Sequence, residues 1–123
     1  MDFTKWKQFN RSLKSFLFAW KGLKSAFVTQ VNFKIQLIIG CLAVVLAFFL
    51  EFNRIEWIIL IFTATAVLIT ELINTVVETI ADYLFPGFHE TAGMIKNISA
   101  AAVLVSAIAA IIVGLMLFLP KII

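Results

Sequence analysis

The sequence predicts an all-α membrane protein: an N-terminal amphipathic helix lying on the membrane surface, followed by three transmembrane helices. Three observations carry that prediction. The 123 residues are 63% hydrophobic and only 14% charged, with a mean hydropathy of +1.06. A water-soluble domain of this length would have to expose too much apolar surface. The charges are also segregated, leaving long uncharged runs suited to a bilayer. Seven of the ten Lys and Arg precede the first such run: Lys5, Lys7, Arg11, Lys14, Lys21, Lys24 and Lys34. By the positive-inside rule this places the N-terminus in the cytoplasm. The chain reads as one membrane domain over residues 1–123, without repeat, linker or low-complexity segment. A secretory signal is not expected, because the first apolar run starts late and lacks a small-residue cleavage site. Basic residues beside so much apolar chain also argue against nucleic-acid binding.

Residues 4–28 form the surface helix. Trp6, Phe9, Leu13, Phe16, Trp20, Leu23 and Phe27 recur at spacings of three and four, while Lys7, Arg11, Lys14, Phe18 and Lys21 cluster opposite. An aromatic stripe against a basic face suits the membrane interface. The spacing admits both attraction to anionic lipid and a phosphate clamp. The first span covers residues 33–52 around the uncharged run Ile35–Leu50, in which Cys41 reads as a small apolar residue. Glu51–Glu56 makes a polar turn outside the cell. The second span, 57–84, starts at the interface anchor Trp57 and ends at Phe85-Pro86-Gly87. Its 28 residues extend roughly 42 Å, beyond a hydrocarbon layer of about 30 Å, so its C-terminal end projects into the cytoplasmic headgroups. Residues 85–96 read as a cytoplasmic loop, where His89 is more simply a solvated side chain than a ligand. The third span, 98–119, is closed by Pro120 and Lys121, and carries small residues every fourth position at Ala102, Ser106, Ala110 and Gly114.

The chemistry concentrates in ELINTVVETIAD, Glu71–Asp82. Glu71, Asn74, Glu78 and Asp82, spaced by 3, 4 and 4 residues, share one helical face within an arc of roughly 80°. A carboxylate at mid-bilayer costs roughly 2.5–3.5 kcal/mol, so four aligned polar residues favour a functional site over a wet or ion-paired face. Glu71 lies roughly 21 Å past Trp57, inside the apolar layer, and Glu78 roughly 31 Å past it, at the interface. Two carboxylates roughly 10 Å apart do not share one ion and should differ in role. The five glycines, Gly22, Gly40, Gly87, Gly93 and Gly114, build neither a P-loop nor a protein-kinase glycine loop, and no Cys/His cluster suggests zinc. An acidic helix beside basic residues is hard-oxygen chemistry, suited to Mg²⁺ and phosphates.

These residues resemble the small bacterial diacylglycerol kinase family, which includes undecaprenol kinases. The resemblance runs from Arg11 through AWKGL at Ala19–Leu23, ELINTVVE at Glu71–Glu78, Asp82, His89-Glu90, Gly93 and Lys96 into the Ala-rich start of the third span. It covers nearly the whole chain, and its E-x-x-N-x-x-x-E…D…H-E…K pattern is specific. It implies a homotrimer with active sites shared between protomers, in a bacterial cytoplasmic membrane with the site facing the cytoplasm. It implies ATP with Mg²⁺ as phosphoryl donor and a lipid alcohol, diacylglycerol or undecaprenol, as acceptor. Carried over by position, Glu71 is the general base for the lipid hydroxyl, and Glu78 and Gln30 stand at the metal. Arg11, Lys14, Phe18, Lys21, Gln30, Glu78, Asp82, Gly87, Phe88, His89, Lys96 and Asn97 stand around ATP. Trp20, Glu71, Asn74 and Ala100 stand around the lipid.

The chain departs from the family pattern at four of these positions. Phe18 and Phe88 occupy places where the family commonly has tyrosines, which keeps a ring for stacking and removes a hydroxyl. Gln30 stands where a metal-binding Glu is usual, and Asn97 where Asp follows the matching Lys. Each amide removes a negative charge where Mg²⁺-ATP would bind, so the resemblance implies a lipid kinase of reduced activity. The alternatives are a degenerate or engineered inactive member of the family, and a small proton-coupled transporter using Glu71. The transporter ranks last, because these charges crowd one interface instead of mid-membrane.

Overall fold

A computed structural model describes residues 2–123. Four helices follow in order: α1 Phe3–Thr29, α2 Val31–Phe49, α3 Arg54–Leu84 and α4 Glu90–Ile122. Three of them, α2, α3 and α4, are long and apolar enough to cross a membrane.

Local chemistry explains each boundary. Asp2 caps α1 by accepting from the Thr4 amide at 3.2 Å. Gln30 interrupts α1 and α2 with a single extended residue, φ −106° and ψ 106°. After α2 the Glu51 amide returns to the Phe48 carbonyl and the Phe52 amide to the Ala47 carbonyl. That is a Schellman closure, with Glu51 in the left-handed region at φ 57°. Asn53 and Glu56 then form a reciprocal capping box that starts α3. Pro86 and Gly87 turn the chain between α3 and α4, with Gly87 at φ 87°, a conformation glycine adopts without a Cβ penalty. His89 Nδ1 accepts the Ala92 amide at 3.3 Å and caps α4.

Several boundaries differ from the sequence expectation. The 85–96 loop shortens to five residues, because the His89 cap lets α4 begin at Glu90. His89 is therefore a helix cap, not a merely solvated loop side chain. Pro120 does not close the last helix, which continues to Ile122. A proline removes its own amide donor and crowds the carbonyl one turn back, and within the last turn of a helix both costs are tolerated. The helix that carries the second span begins before Trp57, at Arg54, where the capping box starts it, and the helix of the first span covers Val31–Phe49.

The packing follows a repeat of 3.5 residues. Covered positions on α3 include Trp57, Leu60, Ala64, Val67, Glu71, Asn74, Glu78 and Ala81; those on α4 include Ala92, Lys96, Ser99, Val103, Ser106, Ala110, Val113 and Leu117. On α2 the same stepping links Phe33, Gln36, Gly40, Ala43 and Ala47. Alternating steps of three and four keep one seam facing a neighbour. Of the small residues expected at every fourth position of α4, Ser106, Ala110 and Gly114 are half-buried and Ala102 is exposed.

Three polar clasps hold α3 and α4 in one antiparallel register. Asp82 meets Lys96 at 2.7 Å at one end, Thr70 meets Ser106 at 2.9 Å midway, and Glu56 meets Lys121 at 3.0 Å at the other. An apolar cluster of Ala47, Phe52, Leu60 and Leu117 closes the α2–α3 turn end. Elsewhere most large apolar side chains point outward, as suits helices surrounded by lipid.

Candidate active site

Glu71, Asn74 and Glu78 occupy three consecutive seam positions of α3, so the packing that builds the fold also buries them. Glu71 is 2% exposed and Asn74 7%. The Glu71 carboxylate accepts from Gln36 Nε2 on α2 at 3.3 Å. Asn74 Nδ2 donates to Glu78 Oε1 at 3.2 Å, while Asn74 Oδ1 is buried without a hydrogen-bond partner. Glu78 is half-buried, and Asp82, one residue past the seam position Ala81, is exposed. The acidic face is thus graded, from an enclosed carboxylate at Glu71 to an open one at Asp82.

At the open end lies a cleft of about 430 Å³ between the end of α3, the Pro86–Gly87 turn and the start of α4. It brings together Asp82, Gly87, Phe88, His89, Lys96 and Asn97, all of which the family resemblance implies around the nucleotide. The Phe88 ring is fully exposed. The His89 ring lies against Phe85 with centroids 4.4 Å apart. The Asp82 carboxylate hydrogen-bonds Lys96 and, with its charge, raises that ammonium above its ordinary value of 10.5. Lys96 precedes the uncharged part of α4 and remains a cation at neutral pH.

Other predicted residues stand apart in the single chain. Arg11, Lys14, Phe18, Trp20 and Lys21 are exposed on α1. Lys21 Nζ sits 5.7 Å from the Phe18 ring centre. Among the described residues, no ion pair or side-chain hydrogen bond joins the α1 cations to α3 or α4. Gln30 is half-buried at the α1–α2 break, its amide on Thr29 Oγ1 at 3.4 Å. Ala100 is exposed on α4. The sequence reading missed Gln36. Its signal was a lone amide in an otherwise apolar run, and the partner thirty-five residues away on α3 is not legible from spacing within one helix.

This arrangement suits proton transfer at Glu71 and the binding of a charged, water-soluble ligand at the cleft. Comparison with known proteins identifies the family. Residues 17–118 match the family described as prokaryotic diacylglycerol kinase. A diacylglycerol kinase of Synechocystis is 40% identical over 116 residues, covering 94% of this chain and 66% of that relative's length. The diacylglycerol kinase of Escherichia coli K12 is 34% identical over 104 residues, 85% of each chain. An undecaprenol kinase of Bacillus subtilis is 33% identical over 114 residues, 93% of each.

Proposed function

The chain belongs to the prokaryotic diacylglycerol kinase family, and from that premise we propose a multi-pass bacterial membrane kinase that transfers the γ-phosphate of ATP to a lipid alcohol. The observation that carries the proposal is the pairing of an enclosed carboxylate, Glu71, with a cleft at the end of the same helix that gathers Asp82, His89, Lys96 and Asn97. The acceptor, diacylglycerol or undecaprenol, presents its hydroxyl to Glu71 from the apolar layer. Glu71 takes the hydroxyl proton as the lipid oxygen attacks the γ-phosphorus, and the bond to the bridging oxygen of ADP breaks. The products are the lipid phosphate and ADP. Asn74 supports the acceptor end, and Lys96, with Arg11, Lys14 and Lys21, balances phosphate charge.

The donor set fits Mg²⁺ held largely by its nucleotide. Among the described residues no three His, Cys, Asp or Glu gather as a metal site. Mg²⁺ commonly takes one or two carboxylates and fills its other positions with phosphate oxygens and water. Glu78 would supply the carboxylate and Gln30 an uncharged amide oxygen. Bound there, the ion would neutralise charge developing on the transferred phosphoryl group. Gln30 and Asn97 each lack the charge their positions usually carry, which lowers turnover and raises the Mg²⁺ requirement.

The α1 cations are exposed and apart from the cleft of their own chain, which supports a homotrimer whose sites draw on neighbouring protomers. The basic N-terminal helix lies at the cytoplasmic face with the site. The deciding experiment measures radiolabelled phosphate transfer from ATP to diacylglycerol and to undecaprenol, titrated with Mg²⁺. We expect one lipid to be phosphorylated, with Glu78→Gln raising the Mg²⁺ and ATP needed for half-maximal rate. Transfer to neither lipid would overturn the proposal.

A further inference from the structure

Gln36 is not among the residues assigned to the reaction, yet its amide is held against the carboxylate proposed as the base. We propose that Gln36 is a positioning residue: its Nε2 holds one oxygen of Glu71 so that the other is presented to the acceptor hydroxyl. This rests on the reading of Glu71 as base.

Geometry supplies the argument. Gln36 Nε2 donates to Glu71 Oε2 at 3.3 Å, across the α2–α3 seam. The other near polar side chain, Asn74, is turned along α3 to Glu78. Among the described residues no other side chain donates to the Glu71 carboxylate. Glu71 Oε1 is thereby left as the oxygen available to a substrate proton. The amide's orientation is also determined: rotating it would set oxygen against oxygen, so Nε2 faces Glu71 although Gln36 Oε1 is then buried without a partner. An apolar side chain here would leave the buried Glu71 carboxylate without its donor. The unpaired oxygen indicates that the contact is retained for Glu71. A general base must also be held in register with its proton to act, and small displacements are costly to rate.

The test is lipid-dependent ATP turnover, in mixed micelles, for Gln36→Met and Glu71→Asp separately and together, with Glu71→Gln as a control. Gln36→Met keeps length and removes the donor. We expect it to lower kcat about tenfold, leave KM for ATP unchanged, and preserve helix content. In the Glu71→Asp background, where the shortened carboxylate has already lost the contact, the same change should cost less than about twofold. If Gln36→Met fails to fold, Gln36→Asn replaces it, withdrawing the amide by one methylene with the same expected pattern. An equal loss in both backgrounds, a rise in KM for ATP with unchanged kcat, or no loss would overturn the proposal. Wild-type turnover in Glu71→Gln would instead remove Glu71 as base, a distinct failure.

Discussion

Replacing Glu71 by Gln should move stability and turnover in opposite directions. A carboxylate in the apolar layer costs about 2.5–3.5 kcal/mol, and Glu71 is 2% exposed, without a cation against it among the described residues. Its one side-chain hydrogen bond, from Gln36, is 3.3 Å long. A hydrogen bond to a charged group returns about 1.5–3 kcal/mol, and this length argues for the lower end. Roughly 1–2 kcal/mol is therefore left uncompensated. Glutamine is nearly isosteric, keeps an oxygen for Gln36 and carries no charge. We expect Glu71→Gln to gain about 1 kcal/mol toward unfolding, while losing a general base worth about a hundred- to ten-thousand-fold in rate. Denaturant unfolding in detergent micelles, followed by far-ultraviolet circular dichroism, reads the first quantity. Initial rates of phosphate transfer to lipid read the second. A variant less stable than the parent by 1 kcal/mol or more, in the same micelles, would refute the reasoning. The carboxylate would then be a structural clamp, and any loss of activity would follow from the fold.

Three further outcomes are expected. Gln30→Glu should lower the Mg²⁺ concentration needed for half-maximal turnover, and adding Asn97→Asp should raise kcat further and non-additively; a double variant no more active than the parent would remove both positions from the metal and phosphate site. Lys96→Met breaks an exposed ion pair, so it should leave the denaturation midpoint nearly unchanged while weakening nucleotide binding severalfold, read by ATP titration. Because Asp82 raises the Lys96 ammonium, the lysine side of that pair is lost as pH rises through the raised value, above 10.5, so melting between pH 6 and 8 should not report it. Finally, in a Cys41→Ser background, cysteines at Asn53 and Gly87 should label from opposite sides of the membrane, and labelling of both from one side would break the three-span topology.

How much of this was legible in the chain differs by level. Three membrane-length helices were readable because an uncharged run and its length in a bilayer are both one-dimensional properties. The acidic face of α3 was readable for a similar reason: spacings of 3 and 4 place Glu71, Asn74 and Glu78 on one side of any helix. Family membership was readable from the order of those residues. Local stops were less so. Proline at 120 reads as an ending, yet its cost falls to little near a helix terminus, and α4 runs through it. The His89 cap and the early start of α4 depend on one ring nitrogen reaching one amide. Tertiary structure alone decided which helix faces meet. It set a 3.5-residue seam, because interlocking neighbours must follow one seam over the whole length of two helices, and left Ala102 of the expected small-residue stripe outside it. It also brought Gln36 to Glu71. A hydrogen bond between helices depends on the register in which they pack, and no spacing within either helix carries that information.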